Sequence, residues 1–340
     1  MALAFAFTNG FNDAANAIAT LVATRVARPI PAVVLAAVFN LIGPFVIGSA
    51  VADTIGGIVT VSPASEIPIL GAGLSGAVIW ATFTRSRGIP SSSSHALVGG
   101  LVGAAVLAAG LSAVDWGPWS HGHISGVFGV LIVLAVSPFI AAAAAWGLER
   151  VSLRVTRRAT TRLGGPVGGA QWFTSAALAF SHGSNDAQKS VGIIAAILVA
   201  AGVIPDIASV PAWAILASSV VLTAGTALGG WTIVATIGRR IYPLRPLDGL
   251  VSQSSSAGLI LASSIVGAPV STSQVVASTV VGIGVGRGRW RHVQVGGRAR
   301  DRPRVGPHAA GGSGARCPVA PPVALRRAVS LRPTGGTPAR

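Results

Sequence analysis

Residues 8–20 read "TNGFNDAANAIAT", and residues 181–193 read "SHGSNDAQKSVGI". Both put Gly-x-Asn-Asp inside an apolar run: Gly10, Asn12 and Asp13 in one, Gly183, Asn185 and Asp186 in the other. The chain around them is 51% hydrophobic and only 10% charged over 340 residues, with mean hydropathy +0.69. Soluble domains carry about 25% charged residues. Apolar runs near the ~20 residues that cross a bilayer as a helix predict spans at 3–24, 30–52, 67–84, 96–111, 124–148, 171–201, 211–238, 250–266 and 275–286. The expected class is an all-α polytopic membrane protein. A carboxylate inside a bilayer costs about 2.5–3.5 kcal/mol, so the duplicated motif calls for a function.

Arginines set the orientation, because basic residues mark cytoplasmic loops. Arg25 and Arg28, the five arginines of "ERVSLRVTRRATTR" (149–162), Arg239, Arg240 and Arg245, and Arg287 onward alternate with loops 53–66, 112–123 and 203–211, which have no Lys or Arg. The N-terminus is then outside, with 149–170, 239–249 and the tail inside. The first Gly-x-Asn-Asp span runs inward and the second outward. Further blocks recur in the same order: "GSAVADTIGG" (48–57) with "GWTIVATIGR" (230–239), and "GIPSSSSHALVGGLVGAAV" (88–106) with "GAPVSTSQVVASTVVGIGV" (267–285). Three matched blocks offset by 173–182 residues make an inverted-topology internal repeat. That architecture is chiefly one of secondary transporters, with the substrate site near the midplane. The expected organisation is a first repeat over 1–148, a basic linker over 149–170, a second repeat over 171–290 and a tail over 291–340.

Spacing places Asn9, Asn12, Asp13 and Asn16 on one helix face. Their oxygens suit sodium or a proton-linked carboxylate, and Gly10 and Gly183 permit close backbone approach or local unwinding. "PSSSSH" (90–95) and "PVSTSQ" (269–274) each read as the start of a half-helix, with proline in the first turn and Ser/Thr caps. Such a terminus, with free N–H groups and hydroxyls, suits phosphate or sulfate. The bland alternatives are Asn residues that pack helices and ordinary Ser/Thr capping. Segments 67–111 and 250–286 read as full crossings or as re-entrant hairpins, and their shortness favours hairpins. In the hairpin geometry Arg85 and Arg87 lie near a tip. Lys189, the only lysine, pairs with Asp186 or contacts an anion. His95 and His182 are proton relays or packing residues.

The motifs "FTNGFNDAANAIATLVATR", "GIPSSSSHALVGGLVGA", "SHGSNDAQKSVGII" and "GAPVSTSQVVASTVVGIGVGRG" resemble the inorganic phosphate transporter family called PiT, from residue 1 to about 290. The resemblance implies a phosphate symporter of the cell (inner) membrane, driven by protons or sodium, whose substrate in many bacterial members is a metal–phosphate complex. It implies two re-entrant helical hairpins and often a homodimer. Carried onto this chain, the cation site takes Asn12, Asp13, Asn16, Asn185 and Asp186. The phosphate site takes Ser91, Ser92, Ser93, Ser94, His95, Ser271, Thr272, Ser273 and Gln274, with Gln188, Lys189 and His182 as accessory residues. Family members commonly have His at the positions of Asn12 and Gln274, and they tend to begin further upstream, so Met1 is open as an internal start.

Other functions are set aside on composition. One cysteine, Cys317, leaves no intramolecular disulfide and no Cys-based metal site. Without a nucleotide-binding loop or nucleophile–base pair, neither an enzyme nor a cofactor is expected. The rivals are a sulfate permease on the same scaffold, a passive anion channel and an inactive truncated transporter. The net charge of +16 is concentrated in residues 287–340, which hold twelve arginines and one aspartate. That Arg/Pro/Gly-rich text stands where the repeat calls for a last span. It reads as a frameshift or truncation after about Val293, with a disordered cytoplasmic tail as the rival, and so not as a nucleic-acid patch. Resequencing the 3′ end separates the two; an intact frame carried through this tail removes the frameshift.

Overall fold

The computed structural model describes residues 1–288 except 14, 15, 17, 88, 90, 118, 121, 122, 125, 159–163 and 230–243. The block 230–239, the tip residues Gly88 and Pro90, and the segment expected to be a missing span and aberrant tail therefore lie outside the described residues, in whole or nearly so. What is described is mostly helical: α1 (Ala2–Asp13), α2 (Ala19–Ala23), α3 (Pro29–Val46), α4 (Ala50–Gly56), α5 (Pro63–Ser86), α6 (Ser93–Ala109), α7 (Gly126–Val155), α8 (Gly164–Ala200), α9 (Ala212–Leu228), α10 (Pro246–Ile265) and α11 (Thr272–Gly286). A two-residue ribbon, β1 (Trp119–Ser120) antiparallel to β2 (His123–Ile124), precedes α7.

Three of these helices, α3, α5 and α7, are long and apolar enough to cross a membrane. Their outward residues are apolar, with Ile30, Ile79 and Phe139 more than half exposed. A water-soluble surface rarely presents such a belt, whereas lipid accepts it.

Two apolar clusters form the interior, and α7 and α8 run through both. One gathers Leu70, Leu74, Leu97 and Leu101 of α5 and α6 with Val127 and Leu134 of α7 and Ile193 of α8. The other gathers Val275, Val276, Val280 and Ile283 of α11 with Ala141 and Ala145 of α7 and Leu178 of α8. The α5–α6 and α10–α11 pairs thus pack at opposite ends of the same two long helices.

Each pair is antiparallel. Gly73 of α5 meets the backbone of Gly100 and Leu101, while Trp80 Nε1 donates to Ser91 Oγ at 3.1 Å. In the second pair Ser252 Oγ and Thr279 Oγ1 share a hydrogen bond of 2.8 Å, and at the other end Asp248 pairs with Arg287. Gly73 and Gly100 correspond to Ser252 and Thr279 at the 179-residue offset of the tip blocks. One hairpin therefore closes on glycine contact and the other on a hydroxyl pair. Arg287 also lies 2.9 Å from buried Glu149, tying α7 to the base of the second hairpin.

Helix α5 has 24 residues and is not short. Helix length therefore does not favour a hairpin over a crossing at 67–111. The basic segment after the first repeat is helical where described, since α7 runs to Val155 and α8 starts at Gly164.

The signature helices pack crosswise. A Cβ on Gly10 of α1 would lie 2.0 Å from the Leu222 carbonyl of α9, and one on Gly225 of α9 would lie 2.3 Å from the Phe7 carbonyl of α1. A Cβ on Gly183 of α8 would lie 2.3 Å from the Asn40 carbonyl of α3, and one on Gly43 of α3 would lie 2.3 Å from the Phe180 carbonyl of α8. At the repeat offsets these are the same two contacts with partners exchanged. No side chain fits at any of them, because helix backbones touch.

Overpacking costs about 1–3 kcal/mol in ordinary cores, and here the obstacle is backbone. Gly225→Val is expected to lower the melting temperature of purified protein or abolish its monodisperse peak. Gly103→Val, where a Cβ meets nothing within 4 Å, should leave both unchanged. Equal behaviour of the two variants would contradict the close approach.

Candidate functional site

The polar groups of both signatures meet the two hairpin tips. Helix α1 ends at Asp13, so Asn16 is not on the helical face that spacing assigned to it. It lies in the turn beyond, its N–H bonded to the Asp13 carbonyl at 2.9 Å. Gly10 itself stays helical, and of its two expected uses it serves the close backbone approach to Leu222. The second signature does not unwind: Asn185 and Asp186 sit inside continuous α8.

Asp13 is buried, and among the described residues its hydrogen-bond donors are all neutral. Asn16 Nδ2 donates to its Oδ1 at 3.0 Å, Ser93 Oγ donates to its Oδ2 at 3.1 Å, and Ser273 Oγ donates to its Oδ1. Asn16 Nδ2 also reaches Ser273 Oγ at 2.9 Å. Asn16, beyond α1, and residues from both tips therefore converge on one carboxylate.

Asp186 is fully buried but has cationic company. Lys189 Nζ donates to its Oδ1 at 2.5 Å, and His182 Nε2 lies 3.1 Å from its Oδ2 without hydrogen-bond alignment. The same Nζ donates to Ser94 Oγ at 2.8 Å and to the Val270 carbonyl at 2.9 Å. All three ammonium protons are thereby used. Ser94 Oγ in turn donates to the Val270 carbonyl at 2.8 Å, so the tips touch each other directly. Asn185 Nδ2 donates to Ser264 Oγ at 3.1 Å and to the Ala268 carbonyl at 3.2 Å, and its Oδ1 accepts from the Val270 N–H at 3.3 Å. Gly267, at φ +74°, turns the chain out of α10 so that these carbonyls face α8.

Carboxylate oxygens of Asp13 and Asp186 and a ring nitrogen of His182 all lie within 4.8 Å of one another. At the second tip Ser271 Oγ and Gln274 Oε1 are buried without a partner. Thr272 Oγ1 donates to Asp186 Oδ2 at 3.4 Å. These are the marks of a site built for a ligand.

Not every predicted residue is drawn in. Asn12 faces α5: its Nδ2 reaches the Ala81 carbonyl at 3.5 Å and its Oδ1 accepts from Arg85 at 3.3 Å. Ser91 accepts from Trp80. Ser92 caps α6 by accepting from the His95 N–H at 3.3 Å, and its Oγ lies 2.8 Å from His95 Nδ1, with His95 itself exposed. Gln188 Oε1 accepts from the Val51 N–H at 3.0 Å and caps α4 instead. Asn40, which no sequence motif singles out, joins this network: its Oδ1 lies 3.2 Å from His182 Nδ1 and its Nδ2 donates to Thr226 Oγ1 at 3.5 Å. Its signal was a lone Asn in "VFNLIGP".

Buried carboxylates facing helix starts, inside an apolar helical chain, define a membrane transport protein. The family model described as "Phosphate transporter family" matches residues 9–300, and the chain belongs to that family. It is 41% identical over 290 residues to a "Probable low-affinity inorganic phosphate transporter" of Mycobacterium tuberculosis, covering 84% of this chain and 67% of that one. A protein of the same description from Bacillus subtilis is 35% identical over 295 residues, covering 83% of each. Among solved structures, "The sodium-dependent phosphate transporter" superposes with TM-score 0.71 at 23% identity, over 86% of this chain and 91% of that one. The fold is thus that of a known transporter, and the family and relatives are transporters rather than enzymes.

Removing one member of a buried ion pair costs about 3–5 kcal/mol, because the other charge is stranded. Lys189→Met should therefore lower the melting temperature sharply. The double variant Lys189→Met/Asp186→Asn should recover most of the loss. A single variant as stable as wild type would show that Asp186 does not depend on Lys189.

Proposed function

We propose that the chain imports inorganic phosphate by symport with a cation, proton or sodium, by alternating access of two inverted repeats. The observation that carries the proposal is Asp13: a buried carboxylate whose hydrogen-bond donors among the described residues are all neutral, within 4.8 Å of a second carboxylate. Lys189 offsets Asp186, which leaves Asp13 as the charge a cation would answer. Asn16, Ser93 and Ser273 surround it, and Asn12 lies one residue outward.

The order of binding follows from charge. With Asp13 ionised and unanswered, the site repels an anion, and in a low dielectric that repulsion is large. A cation on Asp13 removes it. The cation also takes over what Ser93 and Ser273 do for the carboxylate, freeing their hydroxyls to donate to phosphate. Ser94, Ser271, Thr272 and the N–H groups opening α6 and α11 complete the anion site, with Gln274 beside it. Each ligand thereby favours entry of the other. A phosphate carried as its neutral metal complex would meet the same requirement in one step.

The hairpins are re-entrant in this reading. Support comes from the contact between the tips, because arginine placement brings α5–α6 in from outside and α10–α11 in from inside. The exchanged glycine contacts support the inverted repeat. The inner membrane, an external N-terminus, a cytoplasmic 149–170 and a homodimer complete the proposal.

Radiolabelled phosphate uptake in a phosphate-uptake-deficient bacterial strain tests it. Wild type should accumulate phosphate against a gradient, resist excess sulfate, and fail when an uncoupler is added or sodium removed. Asp13→Asn should insert in the membrane normally yet transport nothing; Asp186→Asn, which strands Lys189, should transport nothing and also lose stability. Uptake that only equilibrates, or wild-type transport by either variant, would sink the mechanism.

A further inference from the structure

Arg85 stands in the last turn of α5, at the tip of the first hairpin. Its Nη1 donates to the Phe11 carbonyl at 3.1 Å and to Asn12 Oδ1 at 3.3 Å. Its guanidinium carbon lies 3.7 Å from the centre of the Phe11 ring, itself stacked on Phe7 at 5.8 Å. Among the described residues no carboxylate is within ion-pair distance, and Nε and Nη2 have no hydrogen-bond partner. Three of its five N–H donors therefore have no partner among the described residues.

The position matters as much as the charge. Phe11, Asn12 and Arg85 are half-buried, while Asp13, the next residue, is buried. Ser93, on the other arm of the same hairpin, holds that carboxylate. The guanidinium thus holds the residue that precedes the buried carboxylate in the chain. A plainer role exists, since an arginine beside the last carbonyls of α1 answers the helix dipole. Nη1 alone fulfils it. It does not require the guanidinium carbon to lie 3.7 Å from the Phe11 ring centre, a cation–π contact that restrains the group further. Arg87, exposed and 5.0 Å from the Phe83 ring centre, adds a second positive charge nearby.

We propose that Arg85 is a capture point for the tetrahedral oxyanion at the rim of the site, binding phosphate through its free Nε and Nη2 before the anion passes to the hydroxyls of the tips. The proposal rests on the phosphate-transport reading. Guanidinium suits it because the planar fork meets two phosphate oxygens at once. A capture residue sets apparent affinity and its salt dependence, whereas the carboxylates below set turnover.

The test uses the full chain in liposomes, measuring phosphate binding at equilibrium and initial uptake over a range of phosphate concentrations, at low and high ionic strength. Arg85→Gln keeps a donor for the Phe11 carbonyl and removes the charge. It should raise Kd and KM about tenfold, the scale of one charge-assisted hydrogen bond, with Vmax within about twofold. Arg85→Lys should recover most of that loss. Wild-type KM should rise with ionic strength, and that dependence should flatten in Arg85→Gln, since screening weakens what the charge contributes. An unchanged KM in an active Arg85→Gln protein would overturn the proposal. So would a lower Vmax and melting temperature at unchanged KM, which would make Arg85 a structural clamp. Wild type that neither binds nor transports phosphate would instead remove the transport reading itself, and the capture role with it.

Discussion

A buried ammonium has to spend all three of its protons, and Lys189 spends them on Asp186 of its own helix, on Ser94 of the first hairpin and on the Val270 carbonyl of the second. In a low-dielectric interior neither charge of this pair is tolerable alone. The tips therefore cannot drift from α8 without stranding a donor. Much else is subordinate to that junction. The turn at Gly267 aims carbonyls at Asn185 and Lys189, and Ser94 completes the link between the tips. Glu149, Asp248 and Arg287 repeat the device at the base of the second hairpin, where α7, α10 and α11 are tied. The polar interior is thus a set of clamps on elements that are otherwise held by Ala, Val and Leu contacts.

The two repeats use the same motif unequally. Asp186 lies in an unbroken helix with Lys189 and His182 beside it, while Asp13 ends its helix and is met by hydroxyls and an amide. Ala15 and Asn16 stand where the second repeat has Gln188 and Lys189. One repeat therefore brings its own counter-charge and the other leaves its carboxylate open. The Asn9 amide, on the turn before Asp13, is buried without partners, where the second repeat has His182 bonded to Asn40. The same Gly-x-Asn-Asp motif thus sits in two unlike electrostatic settings.

Much of this was legible in the residues. Apolar runs located most of the helices, though 3–24 and 30–52 each run across two of them and the ends facing 149–170 are missed by seven residues, because arginines and glycines interrupt the apolar text there without ending α7 or α8. The duplicated Gly-x-Asn-Asp and the paired Ser/Thr blocks named the groups that converge, since embedded polar residues seldom lack a role. What could not be read were distances across the fold. Nothing in the sequence near Asn16 announces that it lies in a turn beyond α1, and Asn40 acquires meaning only when α3 packs on α8. Asn12 looked like a ligand by adjacency, yet helix geometry turns it towards Arg85. Gln188 serves the start of α4, a contact 137 positions away in the chain. The length of α5 was underestimated because Pro63, Glu66 and Pro68 interrupt the apolar text without ending the helix.

The exchanged glycine contacts bear on how such a chain is made. Gly10 of α1 has its backbone partner at Leu222, in the other repeat, and Gly43 of α3 has its own at Phe180. The halves are intertwined, so neither owns the surface on which its signature helix rests. A ribosome adds about 5–20 residues per second, and α1 thus leaves the translocation machinery some tens of seconds before α9 exists. During that interval its glycine face, with Asn9 and Asp13 on it, has no helix to lie against. Biogenesis must therefore shelter an incomplete polar helix in the membrane until a distant stretch of the same polypeptide arrives.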